Sequence, residues 1–353
     1  MIDFSIQRYA FVALLAAALF GAATPLAKQL LGEVHPVLLA GLLYCGSGLG
    51  LAVFSLARRL LRPERSQARF TARDLPWLII VLACGGVAGP VLLLYGLSGV
   101  SASEASLLLN LESVLTVLLA RVFFAEHVAP RVWLATALMA FAAAMLGWGP
   151  GGTFEFSAAA VAVSGACLAW ALDNNATRRI AHADAVNIAL LKGVVPGLIN
   201  LALAALVGAS WPAVGFVAAS LALGAVSYGA SLVLYIVAQR NLGSARTGAH
   251  FATAPFLGAL LAVLLLDEHI GSVFLFALGL MVVSTALLLT ERHVHRHRHD
   301  GIGHDHVHAH DDHHRHEHPP GIDSGQPHSH WHVHEPMTHA HSHLPDLHHR
   351  HGH

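Results

Sequence analysis

Residues 108–127 read LLNLESVLTVLLARVFFAEH, and residues 250–269 read HFATAPFLGALLAVLLLDEH. At an offset of 142 residues, Leu115, Leu118, Leu119, Ala120, Glu126 and His127 fall on Leu257, Leu260, Leu261, Ala262, Glu268 and His269. Upstream, Leu94-Tyr95 falls on Leu234-Tyr235 at an offset of 140, so the second copy carries a two-residue insertion. Each stretch is an apolar run that closes on a charged pair. Its length is that of a helix crossing a bilayer core, which needs roughly 20 residues for about 30 Å. The pair therefore reads as a duplicated membrane unit.

The rest of the chain agrees. Of its 353 residues 55% are hydrophobic and only 12% charged, where a soluble domain carries about a quarter charged residues. Ten stretches qualify as spans: 9–31, 36–57, 75–97, 101–120, 130–149, 157–177, 185–208, 212–238, 244–266 and 271–290. The first follows Arg8 and is too long for the apolar core of a secretory signal, and further spans follow at once. Cys45, Cys84 and Cys167 lie inside apolar stretches without metal-ligand spacing and read as small buried residues.

Basic residues set the orientation. One set of connections holds Arg58, Arg59, Arg62, Arg65, Arg69 and Arg73, then Arg121 with Arg131, Arg178 with Arg179, and Arg240 with Arg246. The other set, near 32–35, 98–101, 150–156, 209–212 and 267–270, has no Lys or Arg. A multi-pass inner (plasma) membrane protein with both termini cytoplasmic is expected. Five spans per copy is an odd number, so the copies are inverted, with Glu126-His127 inside and Glu268-His269 outside. Inverted repeats are the architecture of secondary transporters.

The ten-span layout and the paired stretches Phe-Phe-Ala-Glu-His (123–127) and Leu-Leu-Asp-Glu-His (265–269) resemble the EamA-type branch of the drug/metabolite transporter superfamily. The resemblance implies an all-α carrier of small solutes that works by alternating access, with no particular substrate. The expected organisation is a first repeat at 1–149, a second at 150–292 and a tail at 293–353.

Ionisable side chains at membrane depth usually face a cavity and mark a pathway. On a wheel of 100° per residue, span four places Leu107, Leu111, Val114, Leu115 and Leu118 toward lipid. The same wheel turns Ser106, Asn110, Glu112, Ser113 and Thr116 inward. Glu112, near mid-span, reads either as a coupling or substrate-binding carboxylate or as a structural hydrogen-bonded one. Span six carries Asp173, Asn174 and Asn175 before Arg178-Arg179, suited to a polar solute or cation, or simply to solvation at the membrane edge. Their counterpart in the first copy lies near Thr24-Pro25, with Lys28, a further candidate for the pathway, four residues on. His250 precedes Pro255 by about a turn and is a candidate titrating group or ligand, or a satisfied core histidine. Lys192 either snorkels or pairs with Glu112 or Asp173. Gly46 and Gly50, Gly85 and Gly89, and Gly193 and Gly197 are spaced for close helix packing.

After residue 292 the chain holds 23 of its 28 histidines. No apolar periodicity accompanies them, so disorder is expected. Neutral imidazole binds zinc, nickel, copper and cobalt. The ligand candidates are His293, His295, His297, His299, His304, His306, His308, His310, His313, His314, His316 and His318. Apart from its histidines the tail has eight acidic and four basic residues, and full protonation would carry it from −4 to +19. That change would draw it to anionic lipid.

Three functions follow. The first is a carrier of a small polar or drug-like solute, with its site near Glu112, Asn110, Asp173, Asn174 and His250. The second is a transition-metal transporter with the tail as collector or sensor. The third is a membrane-anchored metal store. No enzyme signature is present, no phosphate-cradling Gly-Lys-Ser/Thr motif among them. No cofactor is required by the sequence, and the expected partners are a small solute, the bilayer and divalent metal, with no nucleic acid.

Overall fold

The computed structural model describes residues 4–61, 70–124, 130–146, 157–180, 185–242 and 244–289, and four short tail stretches. The chain separates into two units, Met1–Thr290 and Glu291–His353.

The first unit is all-α among its described residues. Eight helices are long and apolar enough to cross a membrane: α1 (Gln7–Leu30), α2 (Pro36–Ala57), α3 (Ala72–Gly99), α4 (Ala102–Phe123), α7 (Val186–Leu206), α8 (Val214–Gln239), α9 (Arg246–Leu266) and α10 (Ser272–Leu289). Between α4 and α7 lie the shorter apolar α5 (Pro130–Leu146) and the more polar α6 (Ala158–Arg179). In α6 the trio Asp173-Asn174-Asn175 lowers the hydropathy. Phe11, Val53, Val122, Leu206, Val214 and Leu264 are all exposed. An apolar surface of that extent belongs in lipid rather than water.

Packing follows the repeat. Helices α2 and α7, α4 and α9, and α5 and α10 occupy equivalent places in the two copies, and each pair is in contact. The crossed pairs α1–α8 and α3–α6 are likewise equivalent. Glycines let these backbones meet. A Cβ on Gly46 would overlap the Leu221 carbonyl of α8, one on Gly224 the Leu43 carbonyl of α2, and one on Gly193 the Gly48 backbone. In lipid, where burial of apolar surface drives little, such close approach is what holds helices together.

Irregular backbone also recurs in pairs. Helix α3 widens to π geometry at Val81–Ala88 and α8 at Gly224–Ala230. Helix α4 turns at Leu109–Asn110 and α9 at Ala252–Thr253, again about 142 residues apart. Pro90, Pro255 and, in α1, Pro25 each lack an N–H and leave a carbonyl free. In α4 there is no proline. Asn110 makes the break, its backbone N–H donating to Leu107 O at 3.0 Å and its Nδ2 to the same oxygen at 2.9 Å.

That break corrects the expected faces of span four. Leu107 and Val114 are buried in protein rather than turned to lipid, because one helical wheel cannot run through a turn. Glu126 and His127 lie outside the described residues.

The dry core gathers at one end of the bundle. It holds Leu38, Leu39, Leu43, Leu94, Leu97, Leu107 and Leu108, around the α1–α2 and α3–α4 connections. We call this the Lys28 end and the opposite one the arginine end.

The tail, expected to be disordered, forms four strands among its described residues: β1 (Val294–His299), β2 (Gly303–His308), β3 (His328–Val333) and β4 (Met337–Ser342). Strand β1 pairs antiparallel with β4, and β2 with β3. Its alternating sequence has the two-residue period of extended chain, which allows pairing without an apolar core. His295 stands opposite His341, His297 opposite His339, and His304, His306 and His308 opposite His332, His330 and His328.

Candidate functional site

A cavity of about 550 Å3 occupies the half of the bundle toward the arginine end. Ala189 and Tyr235 line it near the arginine ends of α7 and α8. Glu112, Phe20 and Tyr44 line it near mid-bundle. Beyond them a smaller chamber of about 150 Å3 is lined by Thr24, Ser106, Asn110 and Ser113. Glu112, Phe20, Trp170 and Phe251 border both.

The turn at Asn110 begins a new helical segment at Leu111, which places Glu112 in the wall between the chambers. Asn174 Nδ2 donates to Glu112 Oε1 at 2.7 Å and stands 3.4 Å from Thr116 Oγ1. Asn175 is turned the other way, its Nδ2 donating to Thr116 O at 3.1 Å and to Ala171 O at 2.8 Å. Asp173, 2% exposed, accepts from the Thr177 hydroxyl at 3.1 Å and forms an ion pair with Lys192, whose side chain is 26% exposed. A Cβ on Gly85 would overlap the Asp173 carboxylate. The π turn of α3 thus lets α6 carry a carboxylate right against backbone.

Carbonyls released by that π turn are not left bare, as burial requires. Tyr44 Oη donates to Gly85 O at 2.7 Å, Trp170 Nε1 to the same oxygen at 3.0 Å, and Asn200 Nδ2 to Gly86 O at 2.9 Å. Five aromatic rings run in succession around the cavity. Tyr44 and Tyr228 are 6.0 Å apart by centroid, Tyr228 and Phe20 5.6 Å, Phe20 and Phe251 5.3 Å, and Phe251 and Tyr235 5.0 Å.

The Lys28 end holds the packed leucine core instead. Lys28 Nζ donates to Leu97 O at 2.6 Å and Val100 O at 2.8 Å, at the C-terminus of α3. Glu268 accepts from the Ala102 N–H at 2.7 Å and the Ser103 N–H at 2.9 Å, at the N-terminus of α4. Each charge sits on the helix end whose dipole favours it, and Glu268 joins the second copy to the first.

Of the six expected pathway residues, four gather. Glu112, Asp173 and Asn174 line the large chamber and Asn110 the small one. Lys28 belongs to the opposite end, and His250 lines neither chamber. Of the tail ligands, only the backbone of those within the strands is described. Among the described residues no three His, Cys, Asp or Glu side chains group as a metal site. The aromatic wall and the contact of Gly85 with Asp173 have no counterpart among the expected site residues. Tyr235 had marked the repeat, but nothing in its spacing separated a cavity aromatic from a lipid-facing one.

Comparison with known proteins places this geometry. Residues 7–148 and 157–290 each match the EamA-like transporter family. An uncharacterized transporter of Methanothermobacter thermautotrophicus is 27% identical over 264 residues, 70% of this chain and 76% of that protein. A crystal structure of a protein at 21% identity shares the fold, with a TM-score of 0.59 over 80% of this chain and 95% of the other.

Proposed function

The chain belongs to the EamA-like transporter family, a family of transporters rather than enzymes, and we propose that it is a secondary carrier of a small solute working by alternating access. Its ten helices would cross the inner membrane as two inverted five-helix copies with both termini cytoplasmic, since the basic connections lie at the arginine end. One observation carries the reading. The two copies repeat each other in backbone irregularity and helix pairing, yet one end is hollow and the other dry and tied by Glu268 and Lys28. A near-symmetric chain in an asymmetric packing has a second packing available, with hollow and dry ends exchanged. The hollow end would be the cytoplasmic one.

The test needs no substrate. In a background without Cys45, Cys84 and Cys167, a single cysteine replaces Val34 in the dry core or Ala189 in the cavity. Alkylation by a membrane-impermeant reagent should be slow at position 34 and fast at 189. Any perturbation that speeds the first should slow the second. Independent responses at the two positions would leave a rigid scaffold, not a carrier.

Transition-metal transport, with the tail as collector, is a second reading. It draws support from the register that sets histidine opposite histidine in both tail ladders. Zinc, nickel and cobalt flux in proteoliposomes distinguishes it. Saturable flux lost in Glu112→Gln would favour it, and none in folded, metal-loaded protein would remove it.

A further inference from the structure

We propose that the large chamber selects a monovalent organic cation with an apolar or aromatic body, such as an alkyl or aryl ammonium compound. The inference rests on the carrier reading of the same cavity and names its substrate class.

Charge comes first. Among the described residues, the acidic and basic side chains lining the chamber are Glu112, Asp173 and Lys192. Lys192 is taken up by Asp173, and the two cancel. Glu112 has only the neutral amide of Asn174 at Oε1, and its second oxygen makes no hydrogen bond to the described residues. An ionised Glu112 therefore leaves the site with one uncompensated negative charge, facing space large enough for an organic solute. An anionic substrate would find no uncommitted cation among the described lining residues.

The walls make the same selection. Tyr44, Tyr228, Phe20, Phe251 and Tyr235 form a continuous aromatic arc, and Trp170 stands beside Glu112 at the passage to the small chamber. Tyr44 and Trp170 have spent their donors on the Gly85 carbonyl, so each offers the chamber a ring rather than a hydrogen bond. Ser231 has likewise given its hydroxyl to Ala16 O at 2.9 Å. The hydroxyls left for a sugar or nucleoside pattern are those of Ser47, Tyr228 and Tyr235, two of them carried on the aromatic rings themselves. Aromatic faces with one carboxylate are the chemistry of ammonium recognition, because the ring quadrupole attracts a cation that has shed its water. A bare divalent metal is a poor fit for the same reason, since its ligands must be several hard oxygens or imidazoles.

The experiment uses the full chain in lipid nanodiscs and three probes of one shape. Phenyltrimethylammonium carries the charge, tert-butylbenzene replaces its nitrogen by carbon, and benzenesulfonate reverses the sign. Titration calorimetry should find saturable binding of the ammonium at least tenfold tighter than the neutral isostere, with none of the sulfonate. Glu112→Gln should weaken the ammonium at least tenfold and leave the isostere within twofold. Phe20→Leu and Tyr228→Leu should each weaken it about fivefold, with thermal unfolding used to exclude misfolded protein. Equal affinity for ammonium and isostere, preference for the sulfonate, or no binding of any probe would each overturn the inference. Failure of the carrier reading shows elsewhere, in the alkylation of Val34→Cys and Ala189→Cys, and ammonium binding with no reciprocity there would leave a binding site without transport.

Discussion

Replacing Glu268 by Gln should loosen the Lys28 end by a calculable amount. The carboxylate accepts two backbone N–H bonds, at 2.7 and 2.9 Å, from the first turn of α4. Glutamine keeps one acceptor oxygen and presents an amide nitrogen to the other N–H, so one bond is lost along with the charge that complements the helix dipole. A hydrogen bond to a charged group contributes about 1.5–3 kcal/mol where it is fully sheltered. Here both bonds are only partly buried, and water would replace much of what is lost. Loss of a helix N-cap costs about 1 kcal/mol and a favourable charge–dipole interaction roughly 0.3–1 kcal/mol, which together set the change at about 1–2 kcal/mol. Such a change multiplies the population open at this end by roughly five to thirty. When opening is fast relative to modification, alkylation of Val34→Cys follows that population directly. Its rate should rise by the same factor in Glu268→Gln, and somewhat more in Glu268→Ala, while Ala189→Cys slows. Unchanged rates in both variants, with the protein folded, would mean that Glu268 decorates a permanently closed end, and the link between this cap and alternation would fail.

Further outcomes follow from other parts of the bundle. Asp173→Asn or Lys192→Met alone should destabilise the protein by about 1–3 kcal/mol, below the roughly 3–5 kcal/mol of a fully buried pair because Lys192 is 26% exposed. The double variant should recover part of that loss in a thermal unfolding cycle, and simple additivity would mean the pair is uncoupled. Gly46→Ala drives a methyl into the Leu221 carbonyl and should cost about 1–3 kcal/mol. Gly215→Ala, with nothing within 4 Å of its Cβ, should change stability by about 0.5 kcal/mol at most. Removing the chain after Arg292 should abolish most equilibrium zinc binding while leaving the alkylation pattern of the body unchanged. Retained zinc binding would move the metal site into the membrane unit.

The helices were legible in the sequence because lipid imposes length and apolarity on each of them. The starts and ends of the ten runs agree with the observed helices to within a few residues. The interior of the bundle was legible only where a residue is too costly to face lipid, as with Glu112, Asp173 and Asn174. Aromatic side chains carry no such cost, so Phe20, Tyr228 and Phe251 looked the same whether they met lipid or a cavity. The turn at Asn110 was hidden because no proline or glycine marks it. Its partner at Ala252–Thr253, one turn before Pro255, was a usable clue through the repeat. Glu268 stood out as a motif residue, but its partners Ala102 and Ser103 are 166 and 165 residues away and have no sequence signature. The place of Lys28 was illegible for the same reason: an ammonium near the end of a membrane helix can serve a cavity or a neighbouring helix terminus, and only the placement of the α3 carbonyls decides.

A carrier of this construction needs its two packings to lie within a few kcal/mol of each other, or one would never be visited. The apolar core does not obviously allow that. Leu38, Leu94, Leu97 and Leu107 are all fully buried at the Lys28 end, and opening it in water would expose them at considerable cost. The repeat removes the difficulty, because closing the arginine end would bury an equivalent set from the other copy, and the large apolar terms then nearly cancel. What does not cancel is what the copies do not share. The Lys28 bonds to the end of α3 lie on the first copy's side, and the aromatic arc is drawn from Tyr228, Tyr235 and Phe251 of the second copy as well as Phe20 and Tyr44 of the first. Tyr95, the repeat partner of Tyr235, is exposed near the Lys28 end, edge-on to His35 at 6.1 Å. On the carrier reading, the balance between conformers would therefore be set by a few polar ties of about 1–2 kcal/mol each. A solute held by one carboxylate and a few rings can shift a balance of that size, whereas a difference set by the whole apolar core would be out of its reach.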